Sequence, residues 1–192
     1  MIIFYKYLDR IKKKRSPQLS TLNIPQSRTM IRFILVLVAV ITLVNSTNAI
    51  KEPKTGLDFP AKYDGSKLSK WGVRTKGPIK VYSVGQYGDT FLLKMNMKVG
   101  AEKMASAMTD ALKPRCKDAE SIEEFKTAML NGLPKGCSKG SSLAFACKGG
   151  KLSMSANNKK IGCVKNKNLA KAFIGIYTDR KAVCKLIDVE ED

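Results

Sequence analysis

The sequence predicts an α+β fold, with a mostly antiparallel sheet faced by helices. Three observations predict it. Three apolar-alternating segments lie back to back between residues 68 and 98, joined by turns at Gly77-Pro78 and Gly88-Asp89. From Gly100 the apolar period becomes helical and stays so to about Leu133. Alternation then returns for three more segments before a last helical stretch. The order β-β-β-α-α-β-β-β-α, with short turns inside each group of strands, reads as meanders packed by helices rather than as βαβ crossovers.

The elements follow in order. Residues 51–64 carry Pro53, Gly56 and Pro60 and read as a loop. A first strand is expected near Leu68–Arg74, a second over Ile79–Tyr87 and a third over Phe91–Lys98, with Phe91, Leu93, Met95 and Met97 on one face. Ala101, Met104, Ala105, Met108, Ala111 and Leu112 repeat at helical spacing, and Pro114 ends that helix. Ser121 with Glu124 has the spacing of a capping box for a second helix, whose apolar stripe is Ile122, Phe125, Met129 and Leu133. Ser142–Lys148, Lys151–Ala156 and Ile161–Lys165 read as strands, the first two joined at Gly149-Gly150. Leu169, Ala172, Phe173 and Ile176 give a third helix from Asn168, and a shorter helix is expected near Lys181–Ile187.

The formal charge of the chain is +19, of which residues 50–192 hold 27 basic and 15 acidic side chains, a net of +12. The lysines are scattered and not interleaved with aromatics, so no nucleic-acid surface is read from them. Weak contact with an anionic membrane surface is compatible with the charge. Histidine is absent. That excludes Ser-His-Asp and Cys-His nucleophilic catalysis and imidazole-ligated metal sites. No metal and no cofactor is called for.

Phe33 to Val44 is an apolar run too short to span a bilayer comfortably, preceded by Arg28 and Arg32 and followed by Thr47 and Ala49 at small-x-small spacing. Residues 30–49 therefore read as a signal peptide cleaved near Ala49, with residues 1–29 a basic leader or a misassigned start. The expected location is the secretory pathway, the ER lumen or beyond. An organelle reached through a bipartite leader and a signal-anchored form are the alternatives. Five cysteines follow, Cys116, Cys137, Cys147, Cys163 and Cys184. In an oxidising lumen some could pair, and the odd count leaves at least one free. Cys147 and Cys163 sit in alternating strands and read as small buried hydrophobes.

Arginine singles out a candidate site. After residue 49 there are three arginines, Arg74, Arg115 and Arg180, against 24 lysines. Lysine supplies solvated charge, whereas the rigid guanidinium fork suits a carboxylate or a ketone oxygen. Arg74 stands just before a strand that carries Tyr82 and Tyr87, and these three are the candidate ligand-binding residues. Those two tyrosines lie five residues apart and point to opposite faces of a regular strand. Met104 and Met108 belong to a core stripe and are candidates to line an apolar cavity.

Several segments together resemble the chalcone isomerase-like superfamily. They are Thr55-Gly-Leu-Asp-Phe-Pro60, Gly72-Val-Arg74, Lys80-Val-Tyr-Ser-Val-Gly-Gln-Tyr87, Lys98-Val-Gly-Ala-Glu-Lys-Met104, Gly150-Lys-Leu-Ser-Met-Ser155, Val164 to Phe173, and Tyr177 to Val183. The resemblance spans most of residues 55–187. It implies an open-faced β-sandwich, a large antiparallel sheet with helices on one face and a ligand cleft between. It implies that Arg74 and Tyr82 hold the carboxylate of a fatty acid, as in the family's binding branch. The family's catalytic tyrosine falls at Gly100, its active-site asparagine at about Ala107 and a substrate-contacting threonine near Lys159. The reading that follows is non-catalytic binding of a fatty acid or similar small carboxylate. An intramolecular lyase acting on a flavonoid-like ligand through Arg74 and Tyr82 is the alternative, and an accessory protein without catalysis is the second.

Overall fold

The structure, a computed structural model, describes residues 49–190, which fall within one compact unit, Thr47–Asp192. The leader and its cleavage site lie outside the described residues but for Ala49. Four short strands come first: β1 (Ala49–Lys51), β2 (Asp58–Pro60), β3 (Lys62–Tyr63) and β4 (Ser66–Lys67). The main strands β5 (Lys70–Lys76), β6 (Ile79–Tyr87) and β7 (Thr90–Met95) follow, then helices α1 (Ala101–Leu112) and α2 (Ala119–Gly132). Strands β8 (Ser142–Lys148), β9 (Lys151–Ala156) and β10 (Lys159–Val164), helix α3 (Lys167–Thr178) and a short β11 (Ile187–Asp188) complete the order.

Strands β5 to β11 form one seven-stranded sheet in the order β10-β9-β8-β7-β6-β5-β11, antiparallel at every junction. This is the predicted α+β architecture, a large antiparallel sheet with three helices among the described residues. Alternation along the strands sorts residues between two cores. Phe91, Leu93 and Met95 of β7 join Leu143 and Phe145 of β8 and the helical residues Met104, Met108, Phe125, Met129 and Phe173. Phe173 is the hub, stacking on Phe145 at 4.6 Å with Phe91, Phe125 and Tyr177 tilted around it. The opposite face is smaller. Tyr87, Trp71 and Leu92 pack there against Phe59 and Leu68. Both clusters are built within residues 50–189, so the unit 47–192 carries its own core.

Four expectations are corrected. The segment 51–64 is not simply a loop. Its short β1–β2 ladder and the β3–β4 hairpin lie over the second face, where Phe59 is fully buried. The first main strand runs two residues later than expected. The second helix is capped by Asp118 rather than Ser121, because the Asp118 carboxylate accepts from both the amide and the hydroxyl of Ser121. Asp is as good a cap as Ser, and it starts the helix a turn earlier. No helix forms over 181–187. That segment turns and bends over residues 181–184 and then reaches the sheet edge, where Ile187 pairs with Trp71. Gly72 permits this close pass, since a Cβ there would lie 2.5 Å from the Lys185 carbonyl oxygen.

All five cysteines are free thiols. Burial pushes Cys147 up to about 12 and Cys184 up to about 11, so neither is a thiolate near neutrality. Carboxylates set the pH dependence instead. Asp64 is held below the usual range by Lys148 and Thr90, Asp118 by Ser121 and then Asn166, and Asp179 by Arg115. A depressed carboxylate stabilises the fold above its unfolded value of about 3.9 and loses that contribution as pH falls through the folded value. With no histidine present, Tm of the unit 47–192 should stay flat from about pH 5 to 8 and fall steeply below about pH 4. A slope between pH 5 and 8 in a melting series contradicts this assignment.

Candidate ligand-binding site

A cavity of about 630 Å³ opens between one end of the sheet and helix α1. Its sheet side is shaped by an irregularity. Arg74 pairs with Tyr82 but Thr75 pairs with Lys80, so Val81 is the extra residue of a bulge on β6. In an unbroken strand Tyr82 and Val81 would face opposite ways. The bulge brings Val81 and Ile79 onto the same side as Tyr82, and all three line the cavity. Arg74 and Tyr82 are direct cross-strand partners and therefore share that face.

The opposing wall is one face of α1. Gly100, Lys103, Met104, Ala107, Met108 and Ala111 recur at three- and four-residue steps and all reach the cavity. Ile176 of α3 and Val183 close the inner end. The floor is apolar and the mouth is basic. Arg74, Lys76, Lys98 and Lys103 all line it, against the single acid Asp110, which is paired with Lys113 at 2.9 Å.

The arginines divide by environment. Arg115 holds Asp179 through two hydrogen bonds of 2.8 and 2.9 Å and also donates to the carbonyls of Ala111 and Lys181, which makes it a structural clamp. Arg74 instead donates Nη1 to the Val183 carbonyl and has no carboxylate partner among the described residues. One contact fixes the guanidinium at the cavity wall while leaving the rest of its donor fork for another acceptor.

Tyr82 is buried, and its hydroxyl lies 3.2 Å from that of Tyr177. Burial pushes both phenols well above their ordinary value, so both remain neutral O–H donors at physiological pH. Two hydroxyl protons are present and a single bond between the pair uses one. The second has no acceptor among the described residues, and the Arg74 charge lies close enough to act on both phenols. The pair therefore retains donor capacity beside a cation.

Five of the sequence-derived candidates resolve into two groups. Arg74, Tyr82, Met104 and Met108 line one cavity. Tyr87 does not. It is buried on the opposite face of the sheet, donates to the Pro60 carbonyl at 2.7 Å and contacts Tyr63, because five residues of regular strand separate it from Tyr82. Tyr87, expected beside Arg74 and Tyr82, therefore does not line this cavity. Gly100 and Ala107, where the isomerases' functional side chains would fall, both line the cavity and contribute no polar group to it. Lys159 stands exposed on β10, at the far edge of the sheet, and is no part of the site. The sequence reading missed Tyr177, the β6 bulge and the basic rim. The three- and four-residue spacing of Lys103 with Gly100 and Ala107 was the one signal that could have shown part of the rim.

No protein-family model and no curated protein sequence matches the chain. Solved structures do. The chain is similar to a fatty-acid binding protein of Arabidopsis thaliana, with a TM-score of 0.64 and 19% identity, over 71% of this chain and 92% of that chain. At that identity the likeness is one of backbone architecture. The seven-stranded antiparallel sheet, the three helices on one face among the described residues and the cleft between them are thus a fold this chain shares with that protein.

Proposed function

We propose that the chain binds a fatty acid or similar small amphiphilic carboxylate, without catalysis, in the cavity between sheet and α1. The carrying observation is an arginine without a carboxylate partner, held by a backbone carbonyl at the wall of an apolar cavity. The carboxylate lies against Arg74 and accepts a hydrogen bond from the spare phenolic O–H of the Tyr82–Tyr177 pair, and the tail lies along Met104, Met108 and Ile176. A volume of about 630 Å³ is within the range of small-molecule sites, about 300–1,000 Å³, and few polar groups set among apolar ones is the usual composition of such sites. The absence of functional groups at Gly100 and Ala107 favours holding over turning over.

Mass spectrometry of small molecules co-purifying with the protein, together with a palmitate titration, tests this reading. A bound fatty acid and a saturable titration support it. A co-purifying flavonoid, or decay of naringenin chalcone accelerated well above buffer, supports the isomerase alternative instead.

The phenol pair gives a separate expectation. Tyr82→Phe removes one donor from the site and leaves the Tyr177 hydroxyl without its partner. Palmitate affinity should fall about five- to tenfold, near 1 kcal/mol for one hydrogen bond, and stability should fall by about 1–3 kcal/mol. Isothermal titration and thermal melts read the two effects. Unchanged affinity would place the ligand's head away from Tyr82.

A further inference from the structure

Among the described residues three large apolar side chains are exposed: Ile79 at 51%, Met97 at 37% and Ile187 at 40%. Two of them, Ile79 and Met97, stand together at the mouth of the cavity. Ile79 follows the Gly77-Pro78 turn and pairs with Lys76 across it. Met97 was expected to face inward with Met95, but β7 ends at Met95 and leaves it beyond the strand. The Asn96 amide donates to the Val81 carbonyl at 3.0 Å, which sets these two chain segments side by side. Lys98 and Lys103 flank them, both exposed.

We propose that this mouth docks on an anionic lipid bilayer, with Ile79 and Met97 entering the boundary between headgroups and acyl chains and Lys76, Lys98 and Lys103 lying among the headgroups. Apolar tips inside a basic collar match that interface chemically, since the tips gain burial and the collar gains the surface potential. Charge complementarity favours a bilayer over another protein. The unit carries a net +12 over residues 50–192, and the one acid at the mouth is already paired. Exposed Ile and Met side chains serve nothing in a pocket loaded from water, whereas at a bilayer they place the opening against the phase in which an amphiphile dissolves. The loading role rests on the carboxylate-binding reading above. The docking itself does not.

The test is co-sedimentation of the ligand-free unit 47–192 with vesicles of phosphatidylcholine containing about one-third phosphatidylglycerol, and with vesicles of phosphatidylcholine alone. Binding to the anionic vesicles only, reversed by raising salt to about 0.5 M, is expected. Ile79→Ser with Met97→Ser should weaken the partition about tenfold, and Lys98→Gln and Lys103→Gln about fivefold each. Ile187→Ser, at the other end of β5, should leave it unchanged. Circular dichroism confirms that each variant is folded. No binding by the parent overturns the proposal, as does parent-like binding by the Ile79/Met97 variant or equal weakening by Ile187→Ser. Palmitate binding without vesicle binding sinks the docking alone. Vesicle binding without palmitate binding sinks the carboxylate reading alone.

Discussion

An Arg74→Ala protein is expected to bind palmitate about a hundredfold more weakly than its parent while melting at nearly the same temperature. The two halves have different causes. A hydrogen bond to a charged group contributes about 1.5–3 kcal/mol, and a bidentate guanidinium–carboxylate pair lies at the upper end, so losing roughly 3 kcal/mol corresponds to about two decades in Kd. Stability depends little on Arg74, because its side chain is exposed and its one bond among the described residues goes to the Val183 carbonyl. Arg74→Lys separates charge from geometry. Lysine keeps the attraction but not the fork, and should recover only part of the lost affinity. Arg115→Ala is the counter-case. Its guanidinium joins Asp179 to the end of α1, so it should lower Tm with little direct effect on the ligand. Palmitate affinity of Arg74→Ala equal to that of the parent removes the carboxylate reading.

Much of this site was legible because its signals are local. The rarity of arginine against lysine pointed to Arg74, and strand alternation placed Tyr82 and Tyr87 on opposite faces. Helical spacing put Met104 and Met108 on one stripe. Strand order was legible for the same reason, since short turns leave antiparallel neighbours few alternatives. The parts that escaped depend on contacts between distant segments. Tyr177 lies 95 residues from Tyr82 in sequence and meets it only once α3 has packed on the sheet. The β6 bulge is invisible to a period-2 count, which read Ile79–Tyr87 as one regular strand of the correct length. The pass of Lys185 and Leu186 over the sheet depends on the missing side chain at Gly72, whose role appears only when a second backbone passes over it. The N-terminal segment was misread because its prolines and glycines break it into ladders of two or three residues, each too short to show a period.

Gly136→Ala should give the largest stability loss, and by a route that reaches the cavity. Gly136 has a φ of 71°, in the left-handed region, and sits in the link between α2 and β8. A Cβ there would lie 2.4 Å from the Val99 carbonyl oxygen and 2.9 Å from the Gly100 Cα. Val99 is tied to Cys137 by reciprocal backbone bonds of 2.9 and 2.8 Å, so the strip 97–100 cannot move aside without breaking that bridge. Left-handed strain of about 1 kcal/mol and backbone overlap of about 1–3 kcal/mol together predict a loss of about 2–4 kcal/mol. For a unit of this size that is a fall in Tm of roughly 6–12 °C. Gly140→Ala isolates the strain, because Gly140 has a φ of 83° but nothing within 4 Å of its Cβ position, and it should cost only about 1 kcal/mol. The difference between the two variants measures the overlap. Because Val99 and Gly100 are cavity wall, Gly136→Ala should also weaken palmitate binding at temperatures where the protein is fully folded, and Gly140→Ala should not. Equal melting temperatures for the two variants would show that the link yields freely and that Gly136 does not brace the cavity.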